Sequence, residues 1–557
     1  GNLWVDAITA NNADTLSFIG TSAQAVSGTI TGGDINVTNA TGVTFNGVIN
    51  SDAMTVASGA AATFAANATF AGALDGAGAV TVGQGSTLTA ASFTDNGGTF
   101  VLNVVDADAT LTTADIGLLD LGGAATVDTD DLTVNVTGVI GTGTVDVLAN
   151  GGDAFDEAKA VVDNSALYTF TAATDGTLTV AQASTASITN NAAKKSTADN
   201  LLATTATGEL LQVQNAFVSA GSADVNNVLE AAASDVSAGA VVGGVQVAGH
   251  TTSVNNQRLA AVRSGEETGM SAGQMMSGLK AWIQGFGATG EQDERDNVSG
   301  YDVDSVGFAV GLDAENVAED LTVGVSVAYA NTDVESDAIS NAETEIDSYQ
   351  IALYGDYDLS NTAFITAQLA YMWSDNETTR NPGGVSSLVA NGDYDSDTFI
   401  ANATLGNDYH MGHGSLVLTP SVSANYVHYS ADSYTETGAG TANLSVNSDS
   451  MNIFELGLGV NAEWSFEQAN GSWFKPSVGV GVRHDLIGDE YQATNQFAGS
   501  TTSFEVEGYD PAQTTFDAGV GFKYYTTDSW TISADYNYEF KSDFDSHAGV
   551  VKASYKF

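Results

Sequence analysis

The sequence predicts an all-β protein in three parts. Residues 1–190 read as a β-solenoid of the right-handed β-helix type, 191–275 as a short helical linker, and 276–557 as a twelve-stranded antiparallel transmembrane β-barrel. Three observations carry this. The 557 residues include 61 Gly but only 4 Pro, with 43% hydrophobic residues, a balance that favours long uninterrupted ladders. The first 190 residues contain short apolar–polar runs at semi-regular intervals. From Lys280 onward the alternation lengthens and becomes rich in aromatic residues.

Charge and cysteine content bound the chemistry. Lys plus Arg total 14 against 68 Asp plus Glu, a net charge of −54. So anionic a surface is a poor partner for nucleic acid or anionic lipid where it is exposed. The absence of cysteine excludes a disulfide scaffold, a thiolate metal site and a cysteine nucleophile. No stretch reaches 18 apolar residues, so no transmembrane helix is expected. The chain begins at Gly1 rather than Met, and a processed, exported chain is expected.

The N-terminal part has no His, Arg or Pro, and Lys159 is its only lysine. Its runs include Thr63–Phe64, Ala79–Val82, Thr99–Val104, Leu118–Leu121, Leu132–Val136 and Val145–Leu148, most starting 13 to 20 residues apart. That spacing suits one coil of a solenoid burying Val, Ile, Leu and Phe and facing Thr, Asn and Asp outward; an irregular sandwich is the alternative. In the linker, Ser196 to Asp199 resembles a capping box opening a helix with Leu201, Leu202, Leu210, Leu211 and Val213. A second short helix holds Val225, Val228 and Leu229. A third is expected near Thr252 to Arg263, carrying Arg258 and Arg263, which points either to an acidic or carbonyl-rich surrounding or to solvated linker arginines.

Twelve strands are expected to start near 281, 301, 320, 346, 362, 396, 414, 449, 472, 513, 528 and 547. The fifth places Ile365, Leu369, Tyr371 and Trp373 on one face and Thr366, Gln368 and Ala370 on the other. Apolar residues outward and small polar residues inward is the pattern of a lipid-embedded barrel. Connections after even-numbered strands are short, such as 358–361 and 468–471, whereas 291–300, 333–345 and 374–395 read as long acidic loops. Short turns on one rim and long loops on the other fit an outer-membrane barrel.

Three segments resemble the opening strands of autotransporter (type V secretion) β-domains: Trp282-Ile283-Gln284-Gly285-Phe286-Gly287, Gly300 to Asp304, and Gly307-Phe308-Ala309-Val310-Gly311-Leu312-Asp313. Asn256-Gln257-Arg258-Leu259 with Arg263 resembles that family's pore-helix boundary, and Tyr555 with the terminal Phe557 resembles its insertion signal. The resemblance covers roughly 250–557. It implies an outer-membrane location, insertion by the barrel assembly machinery, a pore-threading helix bearing Arg258 and Arg263, and a passenger displayed at the cell surface. It also raises self-cleavage between Asn255 and Asn256, by attack of an Asn side-chain amide on its own carbonyl.

Other chemistry is sparse. All six histidines lie at or beyond 250, so residues 1–190 cannot form a Ser-His-Asp triad or a His-ligated metal site. Asp106, Asp108, Asp128, Asp130 and Asp131 are oxygen ligands suited to calcium, but no calcium-roll repeat accompanies them, and solvated charge is the preferred reading. His410 and His413 read as turn residues. No metal or cofactor is expected. The expected function is export, anchoring and display of a non-enzymatic passenger with an adhesin or surface-coat role. Its partners would be outer-membrane lipid and lipopolysaccharide, the assembly machinery, and a receptor or further copies, with no nucleic acid. The alternatives are a porin-like channel capped by the N-terminal half, and a passenger hydrolase using paired aspartates.

Overall fold

The structure is a computed structural model describing residues 7–106, 108–122, 125–235, 237–263, 270–271, 279–412, 415–508, 510–526 and 530–555. It divides into two compact units: residues 1–190 with 201–206 and 211–228, and residues 191–200, 207–210 and 229–557.

The first unit is a solenoid of parallel ladders. Val26, Phe45, Phe64, Val82 and Leu102 stand in register, so successive coils take 18 to 20 residues, and the coil from Leu102 to Val134 takes 32. These residues are buried, and Phe45 stacks on Phe64 with ring centroids 5.4 Å apart. Burial of each such side chain stabilises the fold by about 1.5–3 kcal/mol. Thr44, Thr63, Thr81 and Thr133 alternate with them on the outward side. One feature of this unit was not expected. The parallel ladder ends in an antiparallel sheet, in which Ala160–Asp163 joins Leu132–Val136 in parallel and then pairs antiparallel with Tyr168–Ala172. Thr177–Gln182 and Gly143–Asp146 complete it. Folding back in this way occupies a strand edge that a further coil would otherwise need to cover.

Five helices follow: α1 (Thr185–Ile188), α2 (Ala192–Ala203), α3 (Gly208–Val218), α4 (Val225–Ala232) and α5 (Gly239–Arg263). The expected capping box at Ser196 is not a helix start. Asn191 Oδ1 accepts the Lys194 N–H at 3.0 Å, which begins α2 earlier, and Asp199 pairs instead with Lys195 one turn before it at 2.5 Å. Gly208, at φ +61°, separates Leu210, Leu211 and Val213 from α2. The last helix is twice as long as expected because it takes in the glycine-rich stretch after Ala238. Each helical glycine costs about 1 kcal/mol relative to alanine. Here close packing offsets that cost: a Cβ at Gly239 would lie 2.6 Å from Val334, and one at Gly243 3.2 Å from Thr332.

The second unit contains a closed twelve-stranded antiparallel barrel: β1 (Leu279–Gln292), β2 (Tyr301–Ala318), β3 (Leu321–Ser336), β4 (Glu343–Asp358), β5 (Ala363–Arg380), β6 (Ala390–Asn407), β7 (Leu416–Ala431), β8 (Met451–Trp464), β9 (Trp473–Asp485), β10 (Thr514–Tyr525), β11 (Trp530–Lys541) and β12 (Phe544–Tyr555). Pairing of β1 with β12 closes it. Along β5, Leu369, Tyr371 and Trp373 face outward and are about half exposed, while Thr366, Gln368 and Ala370 are buried inward. The outward rings of Phe308, Tyr329, Tyr349 and Trp373 form a continuous row across four strands.

Two loop readings are corrected. Much of 333–345 and 374–395 is strand, because alternation continues past the aromatic row with Ser348, Ser374 and Asn376 buried inward. The outward side of this extension is acidic, with Asp304, Asp333, Glu345, Glu377 and Asp393 directly opposite one another across β2 to β6. Also, β11 and β12 are joined by Ser542–Asp543 alone, with Asp543 at φ +61°, so this connection on the long-loop rim is a tight turn. The other long-loop connections include a four-stranded sheet over Tyr434–Thr435, Leu444–Ser448, Gln492–Phe497 and Phe504–Glu507.

Candidate functional site

The candidate site is the seat of α5 inside the barrel. The helix packs against β2 to β7, and its buried face includes Val247, Ala248, Thr251, Val254, Asn255, Arg258 and Leu259. At its centre Arg258 is 1% exposed and Asp313 of β2 is 0% exposed. Arg258 donates from Nε and Nη2 to the two carboxylate oxygens at 2.9 and 2.8 Å. Tyr354 Oη donates to Asp313 Oδ1 at 3.4 Å and itself accepts the Trp282 Nε1–H at 2.7 Å. A bidentate pair with further hydrogen bonds is the arrangement that can repay the desolvation of two buried charges.

The signature glycines have a steric reason in this network. Trp282 lies opposite Gly311 and Phe286 opposite Gly307. A Cβ on Gly311 would come within 2.4 Å of the Trp282 indole, and one on Gly307 within 2.5 Å of the Phe286 ring. Gly324 makes the same room for Tyr354, at 2.3 Å. Gly285 and Gly287 have no such neighbour: the nearest atoms to an added Cβ are 3.8 and 3.6 Å away.

At its C-terminal end α5 is held by Arg263, which pairs with Asp356, lies 3.9 Å from Asp408, and sets its guanidinium 3.3 Å from the Phe364 ring centre. Cations suit the C-terminus of a helix, where carbonyl groups accumulate partial negative charge. Asn255 is buried, donating from Nδ2 to Gln368 at 3.1 Å and accepting from Ser326 Oγ at 3.0 Å. Gln284 donates to Gln257 at 3.0 Å. Of the terminal signal, Tyr555 ends β12 opposite Trp530, and Phe557 lies outside the described residues, as does His413. His410 is exposed near the short-turn rim in Tyr409–Met411.

The sequence reading missed Tyr354, Asp356, Gln368, Ser326 and Gly324. A usable signal existed in β4, where the inward positions run Ser348, Gln350, Ala352, Tyr354, Asp356: a tyrosine and a charge break a small polar row. Two further buried ion pairs were also missed. Arg380 is bidentate to Glu436 at 2.6 and 2.8 Å and donates to the Ala231 carbonyl at 3.1 Å, and Lys194 lies 2.9 Å from Glu230.

Of the aspartates singled out in the solenoid, Asp106, Asp108 and Asp128 accept backbone N–H groups. Asp106 accepts the Asp108 and Gly141 N–H groups at 2.9 and 2.8 Å. Burial pushes its carboxyl up, but backbone donors from Gly141, Asp108, Thr110 and Ala109 outweigh this and hold it below the ordinary carboxylate value. Asp128 caps the turn at Thr129–Asp131, and Asp130 pairs with Lys159. Among the described residues no group of three or more His, Asp or Glu side chains is placed to hold a metal ion.

Residues 281–537 match the family model of the autotransporter beta-domain. The barrel is an autotransporter β-domain. Related proteins include outer membrane protein B of Rickettsia prowazekii (strain Madrid E), 26% identical over 314 residues, covering 55% of this chain and 19% of the relative. Outer membrane protein A of Rickettsia conorii (strain ATCC VR-613 / Malish 7) is 27% identical over 281 residues, covering 48% and 14%. The extracellular serine protease of Serratia marcescens is 26% identical over 208 residues, covering 37% and 18%. This chain thus spans about a fifth of the length of the outer membrane protein B relatives it matches. Among solved structures, the translocator domain of the autotransporter NalP from Neisseria meningitidis aligns with a TM-score of 0.43 and 19% identity, covering 58% of this chain and all of that one. The match places the barrel in the outer membrane, in contact with its lipids.

Proposed function

We propose that this autotransporter exports, anchors and displays a non-enzymatic solenoid that acts as an adhesin or surface-coat element. The observation that carries this is the composition of the passenger: residues 1–190 lack histidine, and Asp106, Asp128 and Asp153 spend their carboxylates on neighbouring backbone N–H groups. A solenoid with an apolar interior and outward Thr, Asn and Asp is suited to extended, many-point binding rather than to a cleft. On this reading the chain is organised as passenger 1–190, linker and pore helix 191–275, and translocator 276–557. Arg258 and Arg263 hold the pore helix. Trp282, Gly285, Phe286, Gly287, Gly307, Gly311 and Asp313 form the barrel signature, and Tyr555 with Phe557 forms the signal read by the assembly machinery. Lipopolysaccharide, a receptor or further copies are the proposed partners.

The chain remains continuous through Asn255–Asn256 in this proposal. Both ends of the Asn255 amide are engaged by Gln368 and Ser326, which disfavours succinimide formation. The test is a broad-specificity protease added to intact cells, with the N-terminal half probed alongside the mass of the untreated protein. Digestion of that half from a full-length species supports display without cleavage. Protection until lysis would refute display, and a barrel-sized fragment in the untreated sample would refute continuity.

A further inference from the structure

Three stretches of the linker, 191–200, 207–210 and 229–235, belong to the unit that contains the barrel and are held by its long-loop rim. At the end of α4, one oxygen of Glu230 takes Lys194 Nζ at 2.9 Å and the other accepts the Ser299 N–H of the β1–β2 connection at 2.7 Å. The next residue offers its carbonyl, Ala231 O, to Arg380 at the end of β5, at 3.1 Å. Arg380 is bidentate to Glu436 of the β7–β8 connection, and Glu436 also accepts the Leu444 N–H at 2.7 Å. Asn495 of the β9–β10 connection, itself fully buried, donates to Ser234 Oγ at 3.0 Å. Lys194, Glu230, Arg380 and Glu436 are all buried.

A second hold lies earlier in the chain. Thr441 Oγ accepts the Leu210 N–H at 2.9 Å and donates to the Thr207 carbonyl at 2.7 Å, while its own N–H reaches Glu209 at 3.2 Å. It thus caps the first turn of α3 from outside the helix. Asn200 donates to the Thr502 carbonyl at 3.1 Å. Beyond Ser234, only residues 235–238 precede α5. The first half of α5 carries Gly239, Gly243, Gly244 and Gly249, which have low helix propensity. A pull applied directly to that end would peel it turn by turn, one contact after another. The rim contacts share a load in parallel, and their charged members are hard to separate because each would be left buried and unpaired.

We propose that this rim is a latch that bears tension on the displayed part of the chain, so that α5 stays seated while the latch holds. The proposal rests on the anchoring role given above, but it is read on purified protein, so its failure would leave display untouched. The test is a constant-force measurement on the full chain in a surface-held lipid nanodisc, pulled through a handle on Asn190→Cys. The protein has no cysteine of its own, so the attachment is unique. Release of the 25 residues of α5 is recognised by roughly 50 Å of added length, the difference between helical and extended rise. Under a steady load Arg380→Ala should shorten the time before that release by about 10²-fold or more. Arg258→Ala, which loosens the seat of α5 and not the rim, should change that time little. Should Arg380→Ala fail to fold, as judged by loss of heat-modifiable migration, Thr441→Val is the second variant. It removes the Oγ contacts to Leu210 and Thr207 and should shorten the time by about tenfold. Equal times for wild type and the folded latch variant would overturn the proposal. A shortening by Arg258→Ala as great as that by the latch variant would overturn it equally, because the seat of α5 would then carry the load.

Discussion

Replacing Arg258 by alanine would leave the Asp313 carboxylate fully buried with a single long contact, the Tyr354 hydroxyl at 3.4 Å. Both side chains are essentially inaccessible, so water cannot take over the lost hydrogen bonds without opening the helix seat. Breaking a buried pair by removing one partner costs about 3–5 kcal/mol. At 1.4 kcal/mol per tenfold, docking of α5 would weaken by roughly 10²- to 10³-fold. Hydrogen exchange reads this directly: protection of α5 amides around Val254 to Leu259 should fall by that factor, while the strands on the β8 to β12 side keep theirs. Asp313→Asn should behave similarly, leaving the guanidinium without its counter-charge. The double variant Arg258→Leu/Asp313→Leu should recover most of the loss, because an apolar pair of similar volume has no charge to desolvate. The reasoning is refuted if either single variant lies within about 0.5 kcal/mol of wild type, or if the double variant is no better than the singles.

Three other outcomes follow from named contacts. Gly311→Ala should destabilise the barrel by about 1–3 kcal/mol, since its Cβ would overlap the Trp282 indole, whereas Gly287→Ala should be neutral; urea midpoints of heat-modifiable migration separate them. Asp106 has a folded pKa below its unfolded one, so its stabilisation is complete above the unfolded value near 3.8 and is lost as pH falls through the folded value. Asp106→Asn should therefore lower passenger stability at neutral pH and flatten the decline below about pH 4, measured by circular dichroism; an unchanged acid limb would count against it. Glu345 lies directly between Asp333 and Glu377, so Glu345→Gln should raise barrel stability at low salt, with the gain shrinking as salt is added. A gain independent of salt would show that repulsion is not its source.

Much of this protein was legible in the sequence because period is a local property. Alternation of two over long runs located all twelve barrel strands, and apolar residues outward with small polar residues inward gave their orientation, as in Leu369 against Gln368. Recurrence of short apolar–polar runs such as Thr63–Phe64 and Ala79–Val82 at coil length announced the solenoid. What a linear pattern does not encode is where one face meets another. The helical stretch from Gly239 to Gly249 has poor propensity and was not foreseen, since its stability comes from contact with Val334 and Thr332 on the barrel wall. The acidic runs read as loops because charge is usually a loop signal, yet inward burial of Ser374 and Asn376 keeps them in the ladder. Arg258 and Arg263 stood out as rare cations in an acidic chain, but their partners Asp313 and Asp356 lie 55 and 93 residues further on and two of many carboxylates. Only closure of the barrel decides which carboxylate faces which arginine, and only the off-centre seat of the helix leaves a glycine-lined cavity beside it.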